Sequence, residues 1–139
     1  MKCCDSGLLR RQKAAQMLYV YLDSQYLEQP NIIVLGDWND DTKDDPGEHC
    51  FDPFFQDPRF YFTTRDIAFD INQASYPKEP YVSFLDHIMV SKDLLPQHST
   101  YDVQTILMGN FMGGYEVYET YISDHRPVML SFLLQNNTE

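Results

Sequence analysis

The sequence predicts an α/β protein of the α+β kind, a single domain in which one mixed β-sheet is covered by helix. Three observations predict it. The chain has 139 residues, 43% hydrophobic and 14% aromatic, which is enough for one domain with its own core and too apolar for an acidic disordered chain. The segment from Asp5 to Leu27 has helical spacing, whereas the later apolar segments are short and β-prone. No repeat, low-complexity tract or interdomain linker separates them.

In the helix, Asp5, Ser6 or Gly7 can cap the start, Ala15, Leu18, Leu22 and Tyr26 recur on one face, and Pro30 marks the exit. The aliphatic run Ile32-Ile33-Val34-Leu35 reads as a buried strand. At Gly36 and Asp37 it opens into a loop that carries six carboxylates and one lysine as far as Glu48, with Pro46-Gly47 as a turn. Phe51 to Phe55 reads as a short turn of helix and Phe60 to Thr63 as a strand. From Asp66 to Val82 there is no periodicity, and Asn72, Ser75, Pro77 and Pro80 mark a long surface loop of the kind that carries binding residues. Phe84 to Ser91, Val103 to Met108 and Pro127 to Leu134 are the remaining strands. Gly109-Asn110 and Gly113-Gly114 predict a mobile connection before the last of them.

The formal charge is −11, from 10 Lys+Arg against 21 Asp+Glu. So few cations argue against long DNA as a partner, because non-specific binding by counterion release needs a basic patch. Phosphate chemistry stays open if a divalent metal inverts the local field. Cys3, Cys4 and Cys50 make no even disulfide framework. No aliphatic run is long enough for a membrane span and the start has no signal-like stretch, so a soluble chain is expected.

Three polar clusters could do chemistry. Gly36-Asp37-Trp38-Asn39-Asp40 closes the first strand, where extended geometry puts Asp37 and Asn39 on one side as a charged acceptor and an amide. The same residue types also make ordinary turns. Phe84-Leu85-Asp86-His87-Ile88-Met89-Val90 carries a carboxylate and an imidazole on opposite faces of a strand. Asp86 needs a partner there, and His87 reads as a structural histidine. Ile122-Ser123-Asp124-His125-Arg126-Pro127-Val128 precedes the last strand, and pairing of Asp86 with His125 would fix the imidazole tautomer and favour its charged form. Arg126 reads as a loop cation, Arg10, Arg11 and Lys13 as the solvated side of the helix, and Tyr76 as a local packing residue of the long loop.

Together, Gly36-Asp37-Trp38-Asn39, Leu85-Asp86-His87-Ile88 and Ser123-Asp124-His125-Arg126-Pro127-Val128 resemble, in order and spacing, the back half of the endonuclease/exonuclease/phosphatase superfamily, whose fold is like pancreatic deoxyribonuclease. The resemblance implies half of a four-layer α/β/β/α sandwich, and metal-assisted hydrolysis of a phosphoester with Mg²⁺ or Mn²⁺. It implies that Asp37 orients or activates the attacking water, Asn39 holds the phosphate, and Asp124 serves the metal. His125, paired with Asp86, would contact the phosphate or move a proton.

The family's front half, with its metal-binding glutamate, an early asparagine and a second histidine, has no counterpart here. Met1-Lys2-Cys3-Cys4 resembles the stretch just after that second histidine, so the chain is expected to begin inside the motif. Two expectations follow. The uncovered sheet face should find a cover, in the missing N-terminal half, a second copy of the chain or a rearranged core. The isolated chain should bind metal weakly and be nearly inactive. The alternative is a non-catalytic half-fold interaction module. An EF-hand-like reading of Asp37, Asn39, Asp41 and Glu48 fails because Thr42 stands where glycine is required and a strand precedes the loop.

Overall fold

The computed structural model describes residues 6–96 and 99–133. Helix α1 spans Ser6–Gln25 and returns through residues 26–32 to strand β1, Ile33–Asp37. Short helix α2 (Asp52–Phe55), β2 (Phe60–Phe62), β3 (Asp86–Ser91), β4 (Tyr101–Thr105), α3 (Tyr115–Tyr121) and β5 (Val128–Phe132) follow. Single 3₁₀ turns occupy Ile67–Phe69, Ile71–Gln73 and Met108–Phe111. Met1 to Asp5 and Leu134, named above, lie outside the described residues. No helix among the described residues is long and apolar enough to cross a membrane.

The α+β class is present, but the expected single mixed sheet is not. Among the described residues the strands form two small sheets, β1-β3-β2 and β4-β5, and every pair is antiparallel. Hydropathy marks a strand without marking its direction or its neighbour. Here β3 inserts between β1 and β2 and runs opposite to both.

Strand β3 organises the core because its alternate side chains serve two faces. Met89, fully buried, joins Ala15, Leu22 and Tyr26 from the α1 side and Phe51, Phe54, Phe60 and Phe62 from α2 and β2. Trp38 closes this cluster against Phe51, Phe54 and Phe62, with ring centroids 5.3–5.7 Å apart. Each fully buried phenylalanine contributes about 1.5–3 kcal/mol of transfer free energy. On the other face Ile88, Val90 and Leu95 pack against Tyr61, Tyr101, Val128, Leu130 and Phe132, so the β4-β5 ribbon covers that side.

Two further expectations are corrected. Strand β1 is not buried: it is the edge of its sheet, with Ile33 45% and Leu35 70% exposed. An aliphatic run records a preference for burial, and the ribbon that could satisfy it lies over β3 and β2 instead. The connection before β5 holds α3, a helix that Tyr-Glu-Val-Tyr-Glu-Thr-Tyr does not announce, since aromatic and β-branched residues favour strands. Tertiary contact overrides that preference: Tyr118 is buried, and its hydroxyl donates to the carbonyl of His125 at 2.9 Å.

Candidate active site

The antiparallel ladder brings the first two clusters together. Asp37 stands directly opposite Asp86. Trp38 N–H donates to Leu85 O and Ser91 N–H to Ile32 O, so these opposed residues form hydrogen-bonded pairs. By alternation, Asp37 and Asp86 form one of the non-hydrogen-bonded pairs, in which side chains approach most closely. Two carboxylates held this way repel, and the arrangement costs stability unless a cation sits between or beside them.

His125 supplies a cationic group. Its Nδ1 lies 2.7 Å from Asp86 Oδ2, and ligand atoms of Asp37, Asp86 and His125 all fall within 4.8 Å of one another. Burial pulls the His125 pKa down, but the bond to Asp86 and the negative charges of Asp86, Asp37 and Asp124 outweigh it, so the net shift is upward. The imidazolium therefore persists to higher pH than in a free histidine. With the Nδ1–H donating to Asp86, Nε2 is left for a ligand or a proton.

The loop that carries His125 is held from three sides. The Tyr115 hydroxyl donates to Asp124 O at 2.7 Å and the Tyr118 hydroxyl to His125 O, so α3 grips two successive carbonyls. Arg126 N–H donates to Ser75 O at 2.7 Å, and its guanidinium reaches Ala74 O at 3.3 Å while lying over the Tyr115 ring. The Tyr76 ring packs on the His125 ring at 5.2 Å. Ser75, fully buried, accepts from the N–H groups of both Leu85 and Asp86. The long loop is thus the brace that sets Asp86 and His125 in register. Nothing in its composition announced this, although Tyr115 and Tyr118 at a three-residue spacing are consistent with one helix face.

Asp37 and Asn39 meet, but not by extended geometry. Asn39 has φ +55°, and both its backbone N–H and its Nδ2 donate to Asp37, at 2.8 and 3.1 Å. This Asx turn uses the tolerance of asparagine for the left-handed region. Gly36, with φ +153°, precedes it in a conformation that side chains rarely adopt. Asp124 is exposed on the loop before β5, near enough to bear on the His125 charge, and its carboxylate is not a member of the 4.8 Å group.

His87 is the structural histidine expected of it. It is 1% exposed, with Nε2 beside Asp40 O at 3.1 Å and Nδ1 beside the Thr64 hydroxyl at 2.9 Å, and burial lowers its pKa. The acidic loop is no calcium loop. Asp40 and Asp41 are buried: Asp40 pairs with Arg11 at 2.8 Å, while Asp41 accepts from Phe84 N–H and pairs with Lys43.

Arg10 is exposed, as its sequence reading has it, whereas Arg11 departs from that reading by pairing with the buried Asp40. Both line a groove of about 580 Å³ with Ala14, Leu18, Leu35, Asp37 and Asn39. Comparison of the chain with family models, with curated proteins and with solved structures returns no match.

Proposed function

We propose that this chain carries the back-half chemistry of a metal-dependent phosphoester hydrolase of the endonuclease/exonuclease/phosphatase type, built on half of a four-layer α/β/β/α sandwich. The observation that supports it is the opposed Asp37–Asp86 pair with the imidazole of His125 bonded to it. With one imidazolium facing two carboxylates, the site keeps a net negative charge that favours a divalent cation, and the imidazolium together with such an ion favours a phosphoryl group.

The oxygen donors suit Mg²⁺ or Mn²⁺, hard ions that accept one or two carboxylates and keep several waters. Asp124 would hold it, although its carboxylate lies outside the Asp37–Asp86–His125 group in this structure, and the ion would supply charge neutralisation at the phosphoryl oxygens. His125 has Nδ1 engaged by Asp86 and presents Nε2, as imidazolium, to a phosphoryl oxygen or a departing oxygen. Asp37 orients or deprotonates a water. Asn39 directs its donors to Asp37 in this state, and holds phosphate only if the Asx turn opens. With so few charged ligands, these residues alone give low metal affinity and turnover unless a further polypeptide segment supplies another carboxylate.

The test is Mn²⁺ titration of the whole chain followed by NMR. Selective broadening of the His125 ring and of the Asp86 and Asp124 resonances, lost in Asp124→Asn, is expected. No selective broadening at millimolar Mn²⁺ would count against the proposal, as would broadening centred on the buried Asp40–Asp41 loop.

A further inference from the structure

The bond to Asp86 fixes one atom of the His125 ring and leaves the rest of the ring to be held by something else. A single hydrogen bond lets an imidazole pivot about the Nδ1···Oδ2 line, and the outer torsion of a histidine has broad wells rather than sharp ones. A second aromatic ring stands against that motion. Tyr76 packs on His125 with ring centroids 5.2 Å apart and planes inclined at 54°. The separation is inside the range of about 6 Å over which an aromatic face attracts a cation, so the contact suits a charged imidazole as well as a neutral one.

Tyr76 is itself fixed from both sides. Its N–H donates to Ser83 O at 3.0 Å and its C=O accepts from Ser83 N–H at 2.9 Å, an antiparallel bridge that makes residues 76–83 a small hairpin. Pro77 follows Tyr76, and a residue before proline is confined to the extended region that such a bridge needs. Before it, the fully buried Ser75 accepts from Arg126 N–H through its carbonyl at 2.7 Å, and from the N–H groups of Leu85 and Asp86 through its hydroxyl at 2.9 and 3.1 Å. Residue 75 is therefore bonded both to the chain neighbour of His125 and to Asp86. Carboxylate, imidazole and covering ring stand on one hydrogen-bonded frame.

We propose that Tyr76 is a positioning residue for His125: its ring blocks the pivot about the Asp86 bond, so that Nε2 keeps a single direction. The role rests on the hydrolase reading only for what Nε2 would do. There direction matters, because displacing a reacting group by about 1 Å can cost about 10²-fold in rate. A working side chain holds its geometry when packing and a hydrogen bond lock it together. His125 takes the hydrogen bond from Asp86 and the packing from Tyr76. The sequence reads Tyr76 as a local packing residue of the long loop, and the fold gives that packing a target on a distant loop. The ring makes the contact, so phenylalanine should replace it and an aliphatic side chain should not.

NMR of the metal-free whole chain, in the wild type, Tyr76→Phe and Tyr76→Leu at one pH, tests the proposal. The wild type should show cross-relaxation between the Tyr76 and His125 ring protons and a His125 Nδ1–H resonance protected from exchange with water. Its His125 ring should have an order parameter near that of rigid backbone, about 0.85. Tyr76→Phe should retain all three. Tyr76→Leu should lose the Nδ1–H resonance and drop the ring order parameter below about 0.6, with the backbone amide spectrum confirming the fold. Tyr81→Leu, which removes an exposed ring of the same hairpin, should leave His125 unchanged. These readouts need neither metal nor turnover, so they are independent of the Mn²⁺ broadening that tests the hydrolase reading. Absence of ring-to-ring cross-relaxation in the wild type overturns the proposal whatever the variants do. So does a Tyr76→Leu protein that keeps an ordered His125 ring, or a Tyr76→Phe protein that loses it.

Discussion

Replacing Asp86 by asparagine keeps the shape of the side chain and removes the charge that holds His125. Both partners are mostly buried, with 25% and 22% of their side-chain surface exposed, and a hydrogen bond to a charged group contributes about 1.5–3 kcal/mol. Residual exposure favours the lower end, so Asp86→Asn should cost about 1.5 kcal/mol where His125 is protonated. The pH dependence has a definite sign. The folded His125 pKa lies above its unfolded value, so its stabilisation is fully present below the unfolded pKa and disappears as pH rises through the folded one. Urea melts at about pH 5.5 and about pH 8.5 bracket the ordinary imidazole value of about 6.5. The difference between wild type and Asp86→Asn should be larger at the lower pH. An NMR titration of the His125 ring should show its pKa falling in the variant, because the burial that opposes protonation is then less fully compensated. An unchanged His125 pKa, or a greater loss of stability at the higher pH, would refute the reasoning.

Ser75→Ala leaves the half-buried N–H groups of Leu85 and Asp86 without their shared acceptor, and urea melts should register a loss of about 1–3 kcal/mol. In the same NMR titration His87 should stay neutral at a pH where His125 is already charged. Its depressed pKa means that its contribution is present above the unfolded value and declines as pH falls toward the folded one. The Cys50 thiol is 3% exposed and pushed up to about 12, chiefly by burial. Peptide mapping after alkylation of the native protein should find it unmodified, and modified once the chain is unfolded. Phe51→Ala removes a fully buried ring at the centre of the aromatic cluster and should cost about 3–5 kcal/mol, visible as a large fall in the thermal midpoint.

Most elements were legible because local chemistry announces them. The stripe Ala15, Leu18, Leu22 and Tyr26 marks α1, and Phe60 to Phe62 and Asp86 to Ser91 carry strand patterning. Helix α3 was not legible, because its aromatic residues prefer strands and its helicity depends on Tyr115 and Tyr118 reaching carbonyls in the 124–125 segment. The Asp86–His125 pair was foreseeable, since a strand carboxylate among apolar neighbours needs a partner and a histidine two residues before a proline-led strand is an available one. The route by which Asp37 reaches Asn39 was not, because only the left-handed turn at Asn39 reveals it.

Residue chemistry by itself determined the reactive inventory of this protein: which side chains can carry charge, which prefer burial, and that Asp37, Asn39, Asp86, Asp124 and His125 deserved notice. Tertiary structure alone decided that Asp37 joins Asp86 and His125 while Asp124 stays outside their group, that β3 lies between β1 and β2, and that β1 is left at the edge of its sheet. The physical reason is that preference is local whereas pairing is not. Hydrogen-bond direction, strand order and the braces from Ser75, Tyr118 and Arg126 arise from contacts between residues far apart in the chain.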